Sequence, residues 1–163
     1  KDLPLLETAK RLEKSLPPGI CIGGIAEIRG KAPSLMAIIK RSAYEIKALQ
    51  KQINEKQKWT ELLESFLIRK EVFVKRQTKK GSRQREIRSG IFDIGIKEEG
   101  GELTFSLLLQ NDNHGVVRPE EVMQALVDLE KAPLATQGMR IHRTGLYAIQ
   151  GDKLMTPLEI LSS

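Results

Sequence analysis

Residues 91–109 read IFDIGIKEEGGELTFSLLL, and apolar side chains recur at alternate positions on both sides of a charged, glycine-containing break. Phe92, Ile94 and Ile96 form one alternating set, and Leu103, Phe105, Leu107 and Leu109 form the other. Successive side chains of a strand point to opposite faces, so this pattern predicts two antiparallel strands with one face buried. Glu98–Gly101 supplies the turn between them. Reading back from Phe92, the same strand extends through Ile87 towards a turn at Lys79, Lys80, Gly81 and Ser82. The strand before that turn carries Val72 and Val74 on one face and Phe73 and Lys75 on the other. Phe73 and Phe92 are both expected in the core.

Further outward the period changes. Trp59, Leu62, Leu63, Phe66 and Leu67 repeat at helical spacing and form one apolar stripe. A short alternation at Tyr44, Ile46 and Ala48 predicts a strand ahead of that helix. On the other side, Asn111–Val117 is a polar loop, and Pro119 opens a helix. Pro is tolerated at a first helical position, and Glu120 and Glu121 suit the positive end of the helix dipole. Val122, Ala125, Leu126 and Leu129 are its expected buried face. After a linker at Pro133–Gly138 comes a strand over Met139–Ile149, a turn at Gly151–Asp152, and a tail, Leu154–Leu161, that packs back.

From Tyr44 the order is strand, helix, three strands, helix, strand. It predicts an α+β fold over residues 42–163, a ferredoxin-like βαββαβ unit with an extra hairpin strand. Residues 1–41 read as the end of a preceding partial unit of the same type. They hold a helix with Asp2 as cap and Leu5, Ala9, Leu12 and Leu16 on one face, stopped by Pro17, Pro18 and Gly19. A strand over Ile20–Arg29 with a bulge at Gly23–Gly24 follows, then a Ser34-capped helix over Leu35–Lys40.

Charge is the other strong signal. The chain has 163 residues and a formal net charge of +6. Between Lys75 and Arg88 stand Lys75, Arg76, Lys79, Lys80, Arg83, Arg85 and Arg88, seven cations against the one anion Glu86. Those fourteen residues therefore carry the whole excess. Alternation sends Lys75 and Arg76 to opposite faces, so the patch wraps the hairpin. Lysine and arginine neutralise phosphates, and the arginine fork adds bidentate contacts. Without interleaved aromatics, backbone or shape recognition fits better than base stacking on an open sheet. Three readings stay open for the patch: a nucleic-acid grip, a dock for an acidic protein, and a solvated hairpin whose charges protect a strand edge. Arg140, His142 and Arg143 form a second, smaller candidate contact, and His114 reads as a loop residue.

Several chemistries find no support. No Gly-x-x-x-x-Gly-Lys phosphate loop and no Gly-x-Gly-x-x-Gly turn occur. One cysteine and two histidines are too few for a Cys/His zinc site, and a lone thiol cannot hold an iron–sulfur cluster. No serine or cysteine sits in a nucleophile turn beside His142. No metal ligand and no catalytic residue is expected in this chain. Cys21, within an apolar run, is expected as a buried thiol, and a single cysteine fits a reducing compartment. Pro4, Glu7 and Lys10 interrupt the first apolar residues, so no secretion signal is read there, and a cytoplasmic location is expected.

Six stretches carry a family resemblance: LPPGI at 16–20, KAPSLMAII at 31–39, RQTKKGSRQREIR at 76–88, VVRPEEVMQAL at 116–126, RIHRTGLYA at 140–148 and GDKLMTPLE at 151–159. In this order they resemble the radical-SAM-associated domain family of unknown function, over residues 3–160. Members of that family lie beside, or fused to the C-terminal end of, cobalamin-type radical SAM proteins, often near genes for a ribosomal-RNA-processing endonuclease. The family's domain usually begins upstream, with a strand, a helix and a His/Pro-rich segment that this sequence does not contain. The resemblance implies a non-catalytic accessory domain of a radical SAM system. Iron–sulfur cluster, S-adenosylmethionine and cobalamin would sit on the partner. The expected function is binding of tRNA, rRNA or another ribosome-related substrate through the basic hairpin. The alternative is a protein-interaction module that docks on the radical SAM enzyme through an apolar patch near Leu154–Leu161.

Overall fold

The computed structural model describes residues 3–28, 30–49, 56–78, 81–99 and 102–162. Its main sheet is built from β1 (Ile39–Leu49), β4 (Ile91–Glu99), β5 (Glu102–Asp112), β7 (Arg140–Gln150) and β8 (Lys153–Met155), in the order β4-β5-β1-β7-β8. A two-residue strand β6 (Gly115–Val116) pairs with the end of β5. Every pairing in the sheet is antiparallel. Consequently β1 and β4 run parallel, with β5 between them. Helix α3 (Lys56–Ile68) follows β1, and helix α4 (Pro119–Glu130) joins β5 to β7. The fold is α+β with antiparallel sheets. Its succession of elements and its strand order are compatible with the ferredoxin-like βαββαβ unit.

The period-2 patterns account for the core. Leu103, Phe105, Leu107 and Leu109 of β5 and Ile46 and Ala48 of β1 all point to one face and are buried. Trp59, Leu63 and Phe66 of α3 and Val122, Met123, Ala125 and Leu126 of α4 cover that face. Trp59 meets Phe105 edge-on, with ring centroids 5.5 Å apart, the arrangement that ring quadrupoles favour. Leu129, expected on the buried face of α4, is exposed instead.

The return strand of the basic hairpin departs from expectation. It is two strands rather than one. β2 (Phe73–Thr78) and β3 (Gly81–Glu86) form a separate two-stranded sheet, and a 3-10 turn over Arg88–Gly90 leads into β4. Glu86 makes the break. Its carboxylate accepts the backbone N–H groups of Val72, Arg88 and Ser89 and the Ser89 hydroxyl. Gly90 completes the turn, where a β-carbon would collide with Val117 and the Gln110 side chain.

A register shift between Ile91 and Asp93 then alters which residues of β4 face inward. Ile91 takes a core position at 3% exposure, and Phe92 turns outward at 43%. Phe73 is also exposed, at 54%. Neither phenylalanine belongs to the core, contrary to the sequence reading. Bulges re-aim side chains in this way, and alternation alone does not locate them.

The upstream region holds less regular secondary structure than expected. α1 (Leu5–Ser15) forms, with Pro4 rather than Asp2 at its N-cap, and none of its residues is buried. Asp2 and Arg29 lie outside the described residues. Residues 20–28 form no strand, so Gly23–Gly24 is no bulge. A strand needs a neighbour to share its ladder, and no strand among the described residues pairs with this segment. Cys21, in this segment, is exposed rather than buried. α2 is short, Leu35–Ile38, because β1 starts at Ile39 and takes the rest of the expected helix. The tail packs back as expected: β8 pairs with β7, and α5 (Pro157–Ser162) follows.

Candidate nucleic-acid interface

Cα partners in an antiparallel pair share a face. Val74 stands opposite Arg85, and Arg76 opposite Arg83, so three arginines lie on one side of the hairpin. Lys75, opposite Gln84, lies on the other. The arginine side faces the β5–β6 turn and the start of α4, and its members have different fates there.

Arg76 is anchored. Its Nε and Nη2 donate to the two carboxylate oxygens of Glu121 at 2.6 and 2.5 Å, and Nη2 also donates to the Val116 carbonyl at 2.9 Å. These two side chains are only 16% and 13% exposed. The hydrogen bonds that Arg76 donates to Glu121 raise the Arg76 pKa. Burial opposes ionisation of Glu121, but the Arg76 fork and the Arg118 backbone N–H outweigh it and hold the carboxyl below the usual range. The hairpin is thereby clamped to the first turn of α4, and this charge is locally balanced.

Arg88 turns inward. Its Nε and Nη2 donate to the Leu67 carbonyl at 3.0 and 2.5 Å, and Nη1 to the Ile91 carbonyl at 3.1 Å. It satisfies a carbonyl at the end of α3 and one at the start of β4, a structural use of the charge.

Arg83 and Arg85 are held by no carboxylate among the described residues. Arg83 is exposed, and Arg85 is half-buried. The Arg85 guanidinium lies against Gly115 so closely that a β-carbon there would overlap it. Together with Arg76, Gln84, Glu86 and His114 they line an open groove of about 540 Å³. Lys79 and Lys80 lie outside the described residues.

The wall opposite the hairpin is a turn organised by Asp112. Its Oδ1 accepts the backbone N–H groups of His114 (2.9 Å) and Gly115 (3.2 Å) and the Gln110 side chain (2.8 Å). Burial pushes this carboxyl up, but those three donors more than compensate and hold it low. The turn leaves His114 exposed at the rim of the groove. Aspartate two residues before a histidine–glycine step is a recognisable turn signature in sequence. Nothing in the sequence says that this turn faces the hairpin.

The second candidate patch stands elsewhere. Arg140 and His142 pair with Lys47 and Glu45 of β1, on the sheet face away from the helices. Arg140 donates to Glu102 at 2.6 Å, and Lys47 approaches the same carboxylate at 3.3 Å. Hydrogen bonds from Arg140 and then Lys47 hold the Glu102 carboxyl low. His142 and Arg143 are exposed. Arg41 and Lys47 mark opposite ends of β1, and Arg41 pairs with Gln110 at the groove end. The Arg140 end is therefore about 20 Å from the groove at the rise of a strand, so the two patches do not merge.

Among the described residues no group of three or more His, Cys, Asp or Glu converges as a metal site, and no helix is long and apolar enough to cross a membrane. No curated protein and no solved structure matches the chain. Residues 1–119 match a family described as an uncharacterized protein conserved in bacteria, DUF2344, a description that names no catalytic activity, and the chain belongs to that family.

Proposed function

We propose that this chain is a non-catalytic accessory domain that binds RNA through its basic hairpin, in the service of a radical SAM enzyme. One observation carries the RNA reading. Arg83 and Arg85 project from the clamped hairpin, without carboxylate partners among the described residues, into a groove that His114 rims. Guanidiniums held by a rigid scaffold and left uncompensated suit phosphate oxygens. Lys75 on the opposite face extends the positive field around the hairpin, and Lys79 and Lys80 add two more cations to the same run of sequence. The radical SAM setting rests on the resemblance of the six sequence stretches. The cluster, S-adenosylmethionine and cobalamin belong to the partner in this reading.

A salt titration of binding to bulk tRNA and ribosomal RNA fragments tests it. Each neutralised phosphate contributes a slope of about −0.7 to −0.9 in log affinity against log salt. Micromolar affinity with a slope of several units is the expected result. No binding at low salt removes the RNA reading.

A docking module is the second reading, and one feature favours it. Ile149, Leu154 and Leu158, on β7, β8 and α5, are each 40–45% exposed. Capture of the radical SAM protein with RNA digested away, lost on Leu154→Asp with Leu158→Asp, is its expected signature.

A further inference from the structure

The sheet face away from α3 and α4 holds a feature that phosphate binding does not use. At the start of β4 the bulge turns Phe92 outward, and the Arg41 guanidinium lies over its ring at 3.4 Å from the centroid. Arg41 Nη1 also donates to the Lys40 carbonyl at 2.9 Å, so the guanidinium is fixed at two points. Tyr147 of β7 is the register partner of Arg41 and shares its face, with its ring packed along Gly145. Phe92 and Arg41 thus form a short row of planar groups across β5, on the sheet face that Tyr147 shares.

This row stands at the same end of the sheet as the hairpin groove. Arg41 pairs with Gln110, Gln110 donates to Asp112, and Asp112 holds the turn of His114 and Gly115, against which Arg85 packs. A strand of nucleic acid whose phosphates lie on Arg83 and Arg85 would pass over His114 and reach Arg41 and Phe92 without leaving the surface.

We infer that the ligand of the hairpin is single-stranded, and that an unpaired base stacks on the Arg41–Phe92 platform at the end of the sheet. The inference rests on the RNA reading above and narrows it. A guanidinium plane and an aromatic ring both accept the face of any base, and single strands expose that face while duplexes hide it. A Phe beneath the guanidinium fixes its plane and leaves its outer face for the base. Duplex RNA, read by phosphates alone, gains nothing from this site.

The test compares a fluorescent oligouridine of roughly 12 nucleotides, a length within the range of one single-strand site, with an RNA duplex of equal length. The intact chain is expected to bind the single strand more tightly. Phe92→Ala should weaken oligouridine binding about tenfold, the loss typical of one stacked base, and leave duplex binding within about twofold. Phe92→Tyr keeps a ring and should retain affinity. Arg83→Glu with Arg85→Glu should weaken both ligands. Unchanged oligouridine binding in Phe92→Ala, with binding still lost in the double arginine variant, overturns the stacking site alone. Equal affinity of the intact chain for both ligands also overturns it. Absence of binding to either RNA overturns the RNA reading and this inference together. Phe92 is 43% exposed and carries the Arg41 contact, so its replacement should lower the unfolding midpoint only slightly, and that measurement separates a lost contact from a lost fold.

Discussion

Arg76 and Glu121 stand 45 residues apart in sequence and share two hydrogen bonds, at 2.6 and 2.5 Å, that fasten the hairpin to the first turn of α4. Both side chains are largely removed from water. Taking away one partner leaves the other charge desolvated, a loss that reaches about 3–5 kcal/mol for a fully buried pair. Arg76→Met alone and Glu121→Leu alone should each destabilise the chain by about 2–4 kcal/mol, somewhat less than that limit because the site is not sealed. The double variant should recover most of the loss, since apolar replacements of both partners are often neutral. Denaturant midpoints of the three variants form a thermodynamic cycle. Strictly additive losses would show that the two residues do not act as a pair.

Acid sensitivity follows from the same carboxylate and from Glu86. Burial opposes ionisation of each, and in each the donors win, so both carboxyls sit below the ordinary glutamate range in the folded chain. A group whose folded pKa is depressed contributes stability that is fully present above its unfolded pKa, about 4.3 for glutamate. That contribution is lost as pH falls through the folded value. Stability should therefore be flat from neutral pH down to about 5 and decline below about 4.3. Glu86→Gln should lower the plateau and flatten the decline, because an amide cannot accept on its nitrogen side and does not titrate. Urea midpoints between neutrality and acid, compared with those of the unchanged chain, give the result. An identical acid limb in the variant would falsify the assignment of this limb to Glu86.

Gly115 gives a way to move Arg85 without removing its charge. A β-carbon at position 115 would occupy the space of the guanidinium, and the φ of +153° there is one that L side chains rarely adopt, so Gly115→Ala should expel Arg85 from the groove wall and also lower the unfolding midpoint. Loss of one phosphate contact should reduce the salt slope of RNA binding by about 0.7. Net charge is the same, so a purely diffuse electrostatic attraction predicts no change. A slope equal to that of the parent chain would separate Arg85 from the grip.

How much of this was legible in the sequence depends on how local the cause is. The apolar period of Leu103–Leu109, the stripe from Trp59 to Leu67 and the Pro119 start of α4 all sit where their patterns place them, because each pattern is written within one element. Phe92 was misplaced because a one-residue register shift inverted its face, and the shift belongs to a pairing between strands. Of the strand expected over residues 20–29, the described part, residues 20–28, joins no ladder among the described residues, and pairing is decided outside the segment. The charge run from Lys75 to Arg88 was plain as composition. Its division into a clamped Arg76, an inward Arg88 and the outward Arg83 and Arg85 is set by Glu121, Leu67, Ile91 and Gly115, which the fold brings in from elsewhere.

That division predicts that arginines of the same run will behave as different kinds of residue. Arg88 gives its donors to the carbonyls of Leu67 and Ile91. Arg88→Met strands those acceptors and should cost about 1–3 kcal/mol, the scale of a buried group left unsatisfied beside a charge. It should leave the salt slope of RNA binding nearly as it was, since Arg88 reaches no phosphate. Arg83 is exposed on the hairpin, so Arg83→Met should leave the unfolding midpoint within about 0.5 kcal/mol. The same change should reduce the salt slope by about 0.7, one phosphate's worth. Both substitutions remove one positive charge, so a model in which only total charge matters requires equal effects on binding. Paired measurements of unfolding midpoint and salt slope on the two variants decide between the alternatives, and equal slopes would return the basic run to an undivided, solvated patch.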